Sequence, residues 1–244
     1  MRIEVLYPEI CNLYGDAMNA EYLRRALPEA DFIKTTIKDV PAFTDGGVDL
    51  VYMGSMTESG QSLAAKALIP HREQILEMIS AGKVFLITGN AFELFGKRIE
   101  NEDGSCIGTL GVFNLYSKRQ MMHRYNSIYL GSFEDMEIVG FKSQFSHSYE
   151  EAQSGGESTP AALFTTVRGS GRKPGQYEEG VRINNFMATY VLGPLLILNP
   201  LFMRYLLGLL GAGGRELPYE HEGMAAYSAR LKEFRDPKTG VEYG

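Results

Sequence analysis

The segment Lys83–Gly96 (KVFLITGNAFELFG), called the elbow segment below, is where residue types and order most favour chemistry. Its apolar run predicts a buried strand, which turns at Gly89-Asn90 into a short helical piece, Phe92–Phe95. Such a turn presents one side chain at the end of a sheet, beside free N–H groups and the positive end of the helix dipole. Enzymes place a cysteine or serine there because both features help to form and stabilise an anion. An ordinary tight turn uses the same small residues, so the pattern alone leaves both interpretations open.

Thr88 and Glu93 are the side chains beside this turn that could react. A threonine hydroxyl without a neighbouring base is a poor nucleophile. Glu93 lies on the first turn of the predicted helix, where removal from water would suit it to acid–base work. Both residues are therefore candidates for a reaction that needs no thiol.

The two cysteines, Cys11 and Cys106, are too few for a disulfide framework or a four-ligand zinc site. Cys11 is predicted in the first loop at an edge of the sheet, where we expect a small packed residue instead of a nucleophile. Cys106 follows a polar turn outside the elbow segment. The spacing of His, Cys, Asp and Glu predicts no metal site, no motif predicts a cofactor, and the sparse cysteines favour a cytoplasmic location.

The composition is typical of a globular chain, with 244 residues of which 44% are hydrophobic and 22% charged. It predicts one domain, 1–244, with a loosely attached tail after about residue 212. The net charge of −6 argues against binding to nucleic acid or to an anionic membrane surface. The most apolar stretch, Tyr190–Leu210, contains Pro194, Pro200 and Arg204, which favours a loop and a buried helix over a membrane span. The N-terminus predicts no signal peptide.

The first half of the chain alternates between strand and helix patterns. The predicted strands are Arg2–Tyr7, Asp31–Ile37, Val48–Met53 and Lys83–Thr88, and the predicted helices are Asp16–Leu27 and Ala64–Ala81. This order predicts an α/β fold with a doubly wound, mostly parallel sheet flanked by helices.

The second half is richer in β patterns, so we expect extra β elements beside that sheet. The predicted elements are strands at Gly108–Tyr116, Ser127–Leu130, Met136–Lys142, Ala162–Arg168 and Arg182–Val191 and a final helix at Leu201–Leu210. Two Gly/Ser-rich stretches, Glu151–Thr159 and Gly169–Gly175, predict surface loops.

Five segments share their order and residues with a known family. The first, LYPEICNLYGDAMNAEYLRRAL, has a proline, then N-x-Y-G-D, an asparagine and a helix, which here are Pro8, Asn12, Tyr14, Gly15, Asp16 and Asn19. The others are VDLVYMGSMTESGQ, the elbow segment, Gly108–Phe113 and EGVRINNFMATYVLGPLLILNP. Together they resemble the GatD branch of the class I glutamine amidotransferases, relatives of the amidotransferase domains of cobyric acid and cobyrinate synthases. The resemblance covers about residues 1–210 and implies the flavodoxin-like fold of that class.

The resemblance places Gly89 at the position of the family's nucleophilic cysteine, and a shift of one residue would place Thr88 there. The family's histidine base corresponds to Leu192, which cannot take up a proton. Glu93 stands where the family has a substrate-holding glutamine, and Gly54-Ser55-Met56 replaces a run of glycines on the oxyanion side. A glutaminase of this class needs a thiolate, a base and anion-stabilising N–H groups, and this chain retains at most the last.

The resemblance also implies which residues surround the pocket of this degenerate site. They are Asn12, Asp16, Gly54, Ser55, Gln61, Asn90, Gln144 and His147. Gln144 and His147 follow from a family loop, N-H-x-G-R-T, at the mouth of the active site, where Gln144 takes the histidine position. For Asn12 and Asp16 a structural role, such as capping the following helix, stays equally open.

Three functions fit these observations. The first is a non-hydrolytic protein that binds a ligand, regulates or docks a partner; the GatD branch implies a Mur-ligase-like or other synthetase subunit, which the branch supplies with ammonia for peptidoglycan amidation. The second is an enzyme with altered chemistry on glutamine or another small amide or amino-acid-like substrate. The third is an interaction protein whose pocket has closed. Assembly into an oligomer is compatible with all three.

Overall fold

The computed structural model describes residues 1–151 and 160–242, and within these ranges the chain forms fourteen β-strands and six α-helices. The strands are β1 (Arg2–Leu6), β2 (Asp31–Thr35), β3 (Leu50–Met53), β4 (Val84–Thr88), β5 (Arg98–Glu100), β6 (Cys106–Gly108), β7 (Leu115–Arg119), β8 (Tyr125–Phe133), β9 (Met136–Gln144), β10 (Ser146–Glu150), β11 (Phe164–Arg168), β12 (Glu178–Glu179), β13 (Val181–Ile183) and β14 (Phe186–Thr189). The helices are α1 (Ala17–Ala26), α2 (Glu58–Leu68), α3 (Arg72–Ser80), α4 (Leu195–Leu198), α5 (Pro200–Leu209) and α6 (Glu220–Arg235).

A six-stranded sheet forms the centre of the fold, in the order β13-β14-β4-β3-β1-β2. Every neighbouring pair is parallel except the β13–β14 hairpin. The central strands β3 and β4 are completely buried and apolar because helices cover both faces of the sheet. Side chains of α2 and α3 pack into one core cluster and those of α1 and α5 into the other. The predicted doubly wound α/β fold is confirmed.

Two further four-stranded sheets account for the extra β elements that the second half of the chain predicts. One has the order β10-β7-β5-β6 and the other the order β12-β11-β8-β9. The second sheet is built on a long β8–β9 hairpin whose nine residue pairs run from Tyr125 opposite Gln144 to Phe133 opposite Met136. This hairpin brings residues of β9 to the C-terminal edge of the central sheet, where Phe141 pairs with Leu192.

The helix predicted at Ala64–Ala81 is two helices, α2 and α3. The first begins six residues earlier than predicted, at Glu58, because the Thr57 hydroxyl caps it by accepting a hydrogen bond from the Gly60 N–H at 3.1 Å. It ends before Pro70, which lies in a short 3-10 turn between the helices. A proline in a helix interior removes an N–H donor and clashes with the preceding turn, so the helix breaks there.

Two predicted strands are wrong in extent. The stretch Gly108–Tyr116 is mostly irregular, because the backbone N–H groups of Leu110 and Val112 donate to carbonyls of the elbow segment instead of to a neighbouring strand. The stretch Arg182–Val191 is a hairpin, β13 and β14, that turns at Asn184 with a left-handed φ of 52°.

The predicted loops have different outcomes. The stretch Glu151–Thr159 lies, from residue 152 onward, outside the described residues. The stretch Gly169–Gly175 is a loop, but its centre is not on the surface. Arg172 is completely buried. Its charge is tolerated there because the guanidinium donates to the Gly180 carbonyl and pairs with Glu178. In the part of the chain that is described, no helix is long and apolar enough to cross a membrane.

The segment after residue 212 contains a helix, α6, that the sequence pattern did not predict. Tyr227, Leu231 and Phe234 are buried on one side of it and form a third core cluster with Ile128 and Val139 of the β8–β9 hairpin, among others. The Tyr227 hydroxyl also donates to the Glu137 carbonyl at 2.7 Å. The helix is therefore attached to the fold through both apolar and polar contacts.

Replacement of Phe234 by alanine tests this attachment. We expect Phe234→Ala to lower the free energy of unfolding by about 3 kcal/mol, because it removes a buried aromatic ring and leaves a cavity. Lys232→Ala, an exposed position on the same helix, is the matched control and should change stability by less than about 0.5 kcal/mol. Urea unfolding measures both. Equal stability of the two variants would contradict the packing described for α6.

Candidate functional site

The elbow segment keeps the backbone geometry of a strand–turn–helix site. β4 ends at Thr88, and Gly89 follows with a φ of +63°, a left-handed conformation that side-chain-bearing residues rarely adopt. The chain then continues as a 3-10 helix over Gly89–Phe95, which includes the predicted helical piece. Phe92 packs against Phe113 and Tyr190 at ring-centre distances of 5.1 and 4.8 Å, and so holds the turn onto the core.

The space in front of Gly89 is filled by other residues. A Cβ atom at this position would lie 2.5 Å from Ser55 Cβ and 3.0 Å from Leu192 Cδ2. Leu192 cannot move away easily, because it is buried and both its N–H and its carbonyl are bonded to Phe141. The position that the family uses for its nucleophile therefore has neither a side chain nor the room for one.

Two N–H groups of the adjoining loop, which the sequence left available to stabilise an anion, are already bonded. Ser55 N–H donates to Asp16 Oδ2 at 2.9 Å, and Met56 N–H donates to Asn90 Oδ1 at 2.9 Å. Asn90 also donates from Nδ2 to the Met56 carbonyl at 2.7 Å. The Asn90 side chain thus closes the loop onto the elbow with two hydrogen bonds, and these two loop donors are not free to bind a developing oxyanion.

Asp16 is completely buried between the first loop and the ends of β3 and β4. Its carboxylate accepts from Thr88 Oγ1 at 2.6 Å and from Asn19 Nδ2 at 2.9 Å, in addition to Ser55 N–H. Burial raises the pKa of Asp16 to about 6, against the opposing effect of these hydrogen bonds. Thr88 donates its hydroxyl hydrogen to this carboxylate, but both residues are completely buried, so the pair is shielded from a substrate.

Glu93 is the centre of a second buried network. It accepts hydrogen bonds from Gln61 Nε2 at 3.0 Å, from Tyr190 OH at 3.2 Å and from the Ser146 hydroxyl. Arg119 reaches the same network by donating to Gln61 Oε1 at 2.6 Å. Burial raises the pKa of Glu93, while the hydrogen bonds and the Arg119 charge counteract it. These contacts tie α2, β7, β10 and the elbow together.

A cleft of about 120 Å³ remains beside the closed elbow. Four residues singled out from the sequence line it: Ser55, Asn90, Gln144 and Leu192. Its other lining residues are Leu13, Tyr14, Met56, Thr57, Glu58, Arg124, Ser143, Phe145 and Ser146. The residues singled out from the sequence that lie elsewhere are Gly89, Thr88, Glu93, Asn12, Asp16, Gly54, Gln61 and His147.

Three of the residues outside the cleft have contacts of their own. Asn12 is exposed and donates to the Pro8 carbonyl at 3.1 Å, within its own loop. Gly54 lies where a Cβ would come within 3.1 Å of the Tyr52 hydroxyl. His147 is buried in β10, and its pKa is lowered to about 4 by desolvation and by the nearby charge of Lys142, so it is neutral at pH 7.

The two cysteines lie apart from this chemistry. Cys11 is buried with its sulfur 3.9 Å from that of Met56, and burial raises its pKa, which keeps it protonated. Cys106 is exposed on β6. Among the residues described, no group of His, Cys, Asp and Glu could hold a metal ion.

Two charged features of the site were missed from the sequence. Arg124 was not singled out from the sequence, yet it lines the cleft with its guanidinium 4.4 Å from the centre of the Phe145 ring. Lys142 and Glu179 form a completely buried ion pair, and Glu179 also accepts from Tyr190 N–H at 2.8 Å. The E-G pair at Glu179 was visible in the sequence, but its partner on β9 depends on a long-range strand pairing.

The family assignment follows from residues 2–198, which match the model of the CobB/CobQ-like glutamine amidotransferase domain. The chain belongs to this family. It is similar to the GatD subunit of the glutamine-hydrolysing lipid II isoglutaminyl synthase from Staphylococcus aureus (strain N315), with 26% identity over 199 residues, 80% of this chain and 78% of the relative.

Solved structures support the same fold. One glutamine amidotransferase aligns over 85% of this chain and 98% of its own, with a TM-score of 0.53 and 14% identity. A glutamine amidotransferase from Thermotoga maritima aligns over 96% of this chain and 91% of its own, with a TM-score of 0.53 and 10% identity. At these identities the likeness shows the fold alone.

The raised pKa of Asp16 predicts how stability depends on pH. Below about pH 4 the carboxyl is protonated in both the folded and the unfolded chain. Between about pH 4 and 6 the unfolded chain releases this proton first, so the free energy of unfolding falls as pH rises, by roughly 3 kcal/mol in total. Asp16→Asn should lack this fall, so its stability relative to the wild type should improve across the window.

Urea unfolding at several pH values between about 4 and 7 checks this prediction. The contribution of Glu93 is present in both proteins and cancels in the difference. Asp45→Asn, at an exposed aspartate, serves as the control. A difference between Asp16→Asn and wild type that stays constant across the window would show that Asp16 does not titrate there.

Proposed function

We propose that this chain is a GatD/CobQ-type protein that does not hydrolyse glutamine and instead acts as a binding or partner-docking subunit. The observation that supports this is the closed elbow at Gly89. The nucleophile position has no room for a side chain, Leu192 takes the place of the base, and two loop N–H donors are bonded to Asp16 and Asn90. The thiol and the histidine base of a glutaminase of this class are therefore both missing, and two loop donors that could stabilise an oxyanion are already bonded.

A synthetase subunit is the proposed partner. The Staphylococcus aureus relative is, by its name, one subunit of a glutamine-hydrolysing lipid II isoglutaminyl synthase. The matched region extends through most of both chains, so the surface that such a subunit presents to its synthetase has a counterpart here. By this proposal residues 1–244 form a single domain in the cytoplasm, docked to a Mur-ligase-like or other synthetase chain.

An enzyme of altered chemistry has less support. That function would need Thr88, Glu93 or Asp16 to reach a substrate, and none of the three lines the cleft. Each is completely buried and already bonded within the protein. Their geometry supports a bracing role in the closed elbow.

The direct test is an assay of glutamate release from glutamine. We expect no release above the buffer blank, alone or with a synthetase partner, because the elbow has neither a cysteine nor a histidine base and two of the adjoining loop donors are already bonded. Cys11→Ala and Cys106→Ala identify any activity from the two thiols. Glutamate release by the wild type would refute the proposal, and its loss in one of these variants would identify a displaced nucleophile.

Restoring the nucleophile should fail for a steric reason. Gly89→Cys is expected to release no glutamate and to lose about 2–5 kcal/mol of stability, from overpacking against Ser55 and Leu192 and from the left-handed backbone. Gly104→Cys is the matched control, because Gly104 has a φ of +82° with no atom within 4 Å of an added Cβ and so reports the backbone cost alone.

Adding Ser55→Gly to Gly89→Cys removes the closest contact and should recover part of the lost stability. Thermal and urea unfolding of the wild type, Gly89→Cys, Ser55→Gly and the double variant form a double-mutant cycle. A Gly89→Cys variant no less stable than Gly104→Cys would contradict the filled elbow.

A further inference from the structure

Gln144, one of the residues that line the cleft, has an unused acceptor on its side-chain amide. Gln144 is 5% exposed, and its Nε2 donates to the Ser146 carbonyl at 2.6 Å and lies 3.3 Å from His147 Nδ1. These contacts set the orientation of the amide, because the opposite one would bring two oxygen acceptors together. The Oε1 atom has no hydrogen-bond partner within the protein. A buried acceptor without a donor is costly, so this oxygen indicates a ligand that carries an N–H or O–H group.

Few buried side-chain nitrogen or oxygen atoms in the described residues lack a hydrogen-bond partner. In the described ranges, the other buried side-chain atoms without a partner belong to Tyr7, Arg119, Ser127 and Gln176. None of these four residues lines the cleft. Among these residues, the unsatisfied acceptor of Gln144 therefore belongs to the one that lines the cleft beside the elbow.

Two opposite charges line the same cleft without pairing. The Arg124 guanidinium is supported by the ring of Phe145, and among the described residues it forms no ion pair. The Glu58 carboxylate, at the start of α2, also forms none. Side chains of opposite sign that line one cleft without neutralising each other match a ligand that has both charges.

The cleft is small. Its volume of about 120 Å³ is below the range of roughly 300–1,000 Å³ that is usual for ligand pockets. Ser55 and Leu192 fill the space in front of Gly89, and Gly89 is not part of the wall. A ligand that enters therefore has no route for a long side chain toward the elbow.

We propose that the cleft binds a short zwitterionic amino acid of the size of glycine, alanine or serine. The Arg124 guanidinium takes the carboxylate, and the ammonium group donates to Gln144 Oε1 and is attracted by Glu58. The preference for a short side chain rests on the closed elbow of the proposed function. The charge recognition does not, because it depends on Arg124, Glu58 and Gln144 and not on the space in front of Gly89.

Calorimetric titration of the full chain at neutral pH with glycine, L-alanine, L-serine and L-glutamine tests the proposal. We expect at least one of the three short amino acids to bind and L-glutamine to bind at least about tenfold more weakly. Acetate and methylammonium, which each have only one of the two charges, should also bind at least about tenfold more weakly than the best short amino acid.

Variants connect binding to the named residues. Arg124→Gln and Glu58→Gln should each weaken binding by about tenfold or more, and Gln144→Leu should do the same if it keeps the melting temperature of a folded protein. Arg230→Gln, on α6 and away from the cleft, is the matched control and should bind as the wild type does. Wild-type affinity in both Arg124→Gln and Glu58→Gln would overturn the proposal.

The remaining outcomes are distinguishable. No binding of any short amino acid up to about 10 mM would overturn this inference and leave the proposed function standing. Binding of L-glutamine as tight as that of the short amino acids, without glutamate release, would overturn the short-ligand preference. Release of glutamate from glutamine would instead refute the proposed function.

Discussion

The buried carboxylate of Asp16 connects the C-terminal ends of the parallel strands. It lies after β1, receives the Ser55 N–H from the loop after β3 and the Thr88 hydroxyl at the end of β4, and bonds Asn19 on α1. Asn19 extends the network, because its Oδ1 accepts from Leu196 N–H in α4, beyond β14. Four strand ends thus meet around one charge that is held out of water. In parallel α/β sheets this edge is where ligands bind, so a carboxylate that ties its loops together also restricts what the edge can do.

The closed elbow follows from the same requirement to satisfy buried polar groups. Free N–H donors in a loop are useful to an enzyme because they can bind an oxygen of the substrate. Without an acceptor, however, a buried N–H group lowers the stability of the protein. Here Asp16 and Asn90 complete the loop from within the protein. Once these bonds are made, the left-handed turn at Gly89 is still needed to join β4 to the following 3-10 helix.

The fold could be predicted from the sequence further than the site could. Apolar runs identified β3 and β4 because a strand buried on both faces leaves that pattern. The break at Pro70 was visible in principle, and so was α6, whose buried Tyr227, Leu231 and Phe234 have helical i, i+4, i+7 spacing. The polar residues around that stripe, together with its position near the C-terminus, led to the expectation of a loose tail instead.

The site depends on contacts that local sequence does not record. Motif alignment identified Gly89 and Leu192 as altered positions, but it could not reveal that Leu192 fills the space beside Gly89, since the two lie about a hundred residues apart. Alignment also gave Asn90 and Gln144 the same status, that of pocket residues. In the structure the two residues differ in whether the oxygen of the side-chain amide accepts a hydrogen bond. The Asn90 amide both donates to and accepts from the backbone of Met56. The Gln144 amide donates a hydrogen bond, but its oxygen accepts none within the protein. Asn90 therefore belongs to the closed elbow. Gln144 belongs to the proposed ligand site, where a ligand could donate a hydrogen bond to its unpaired oxygen.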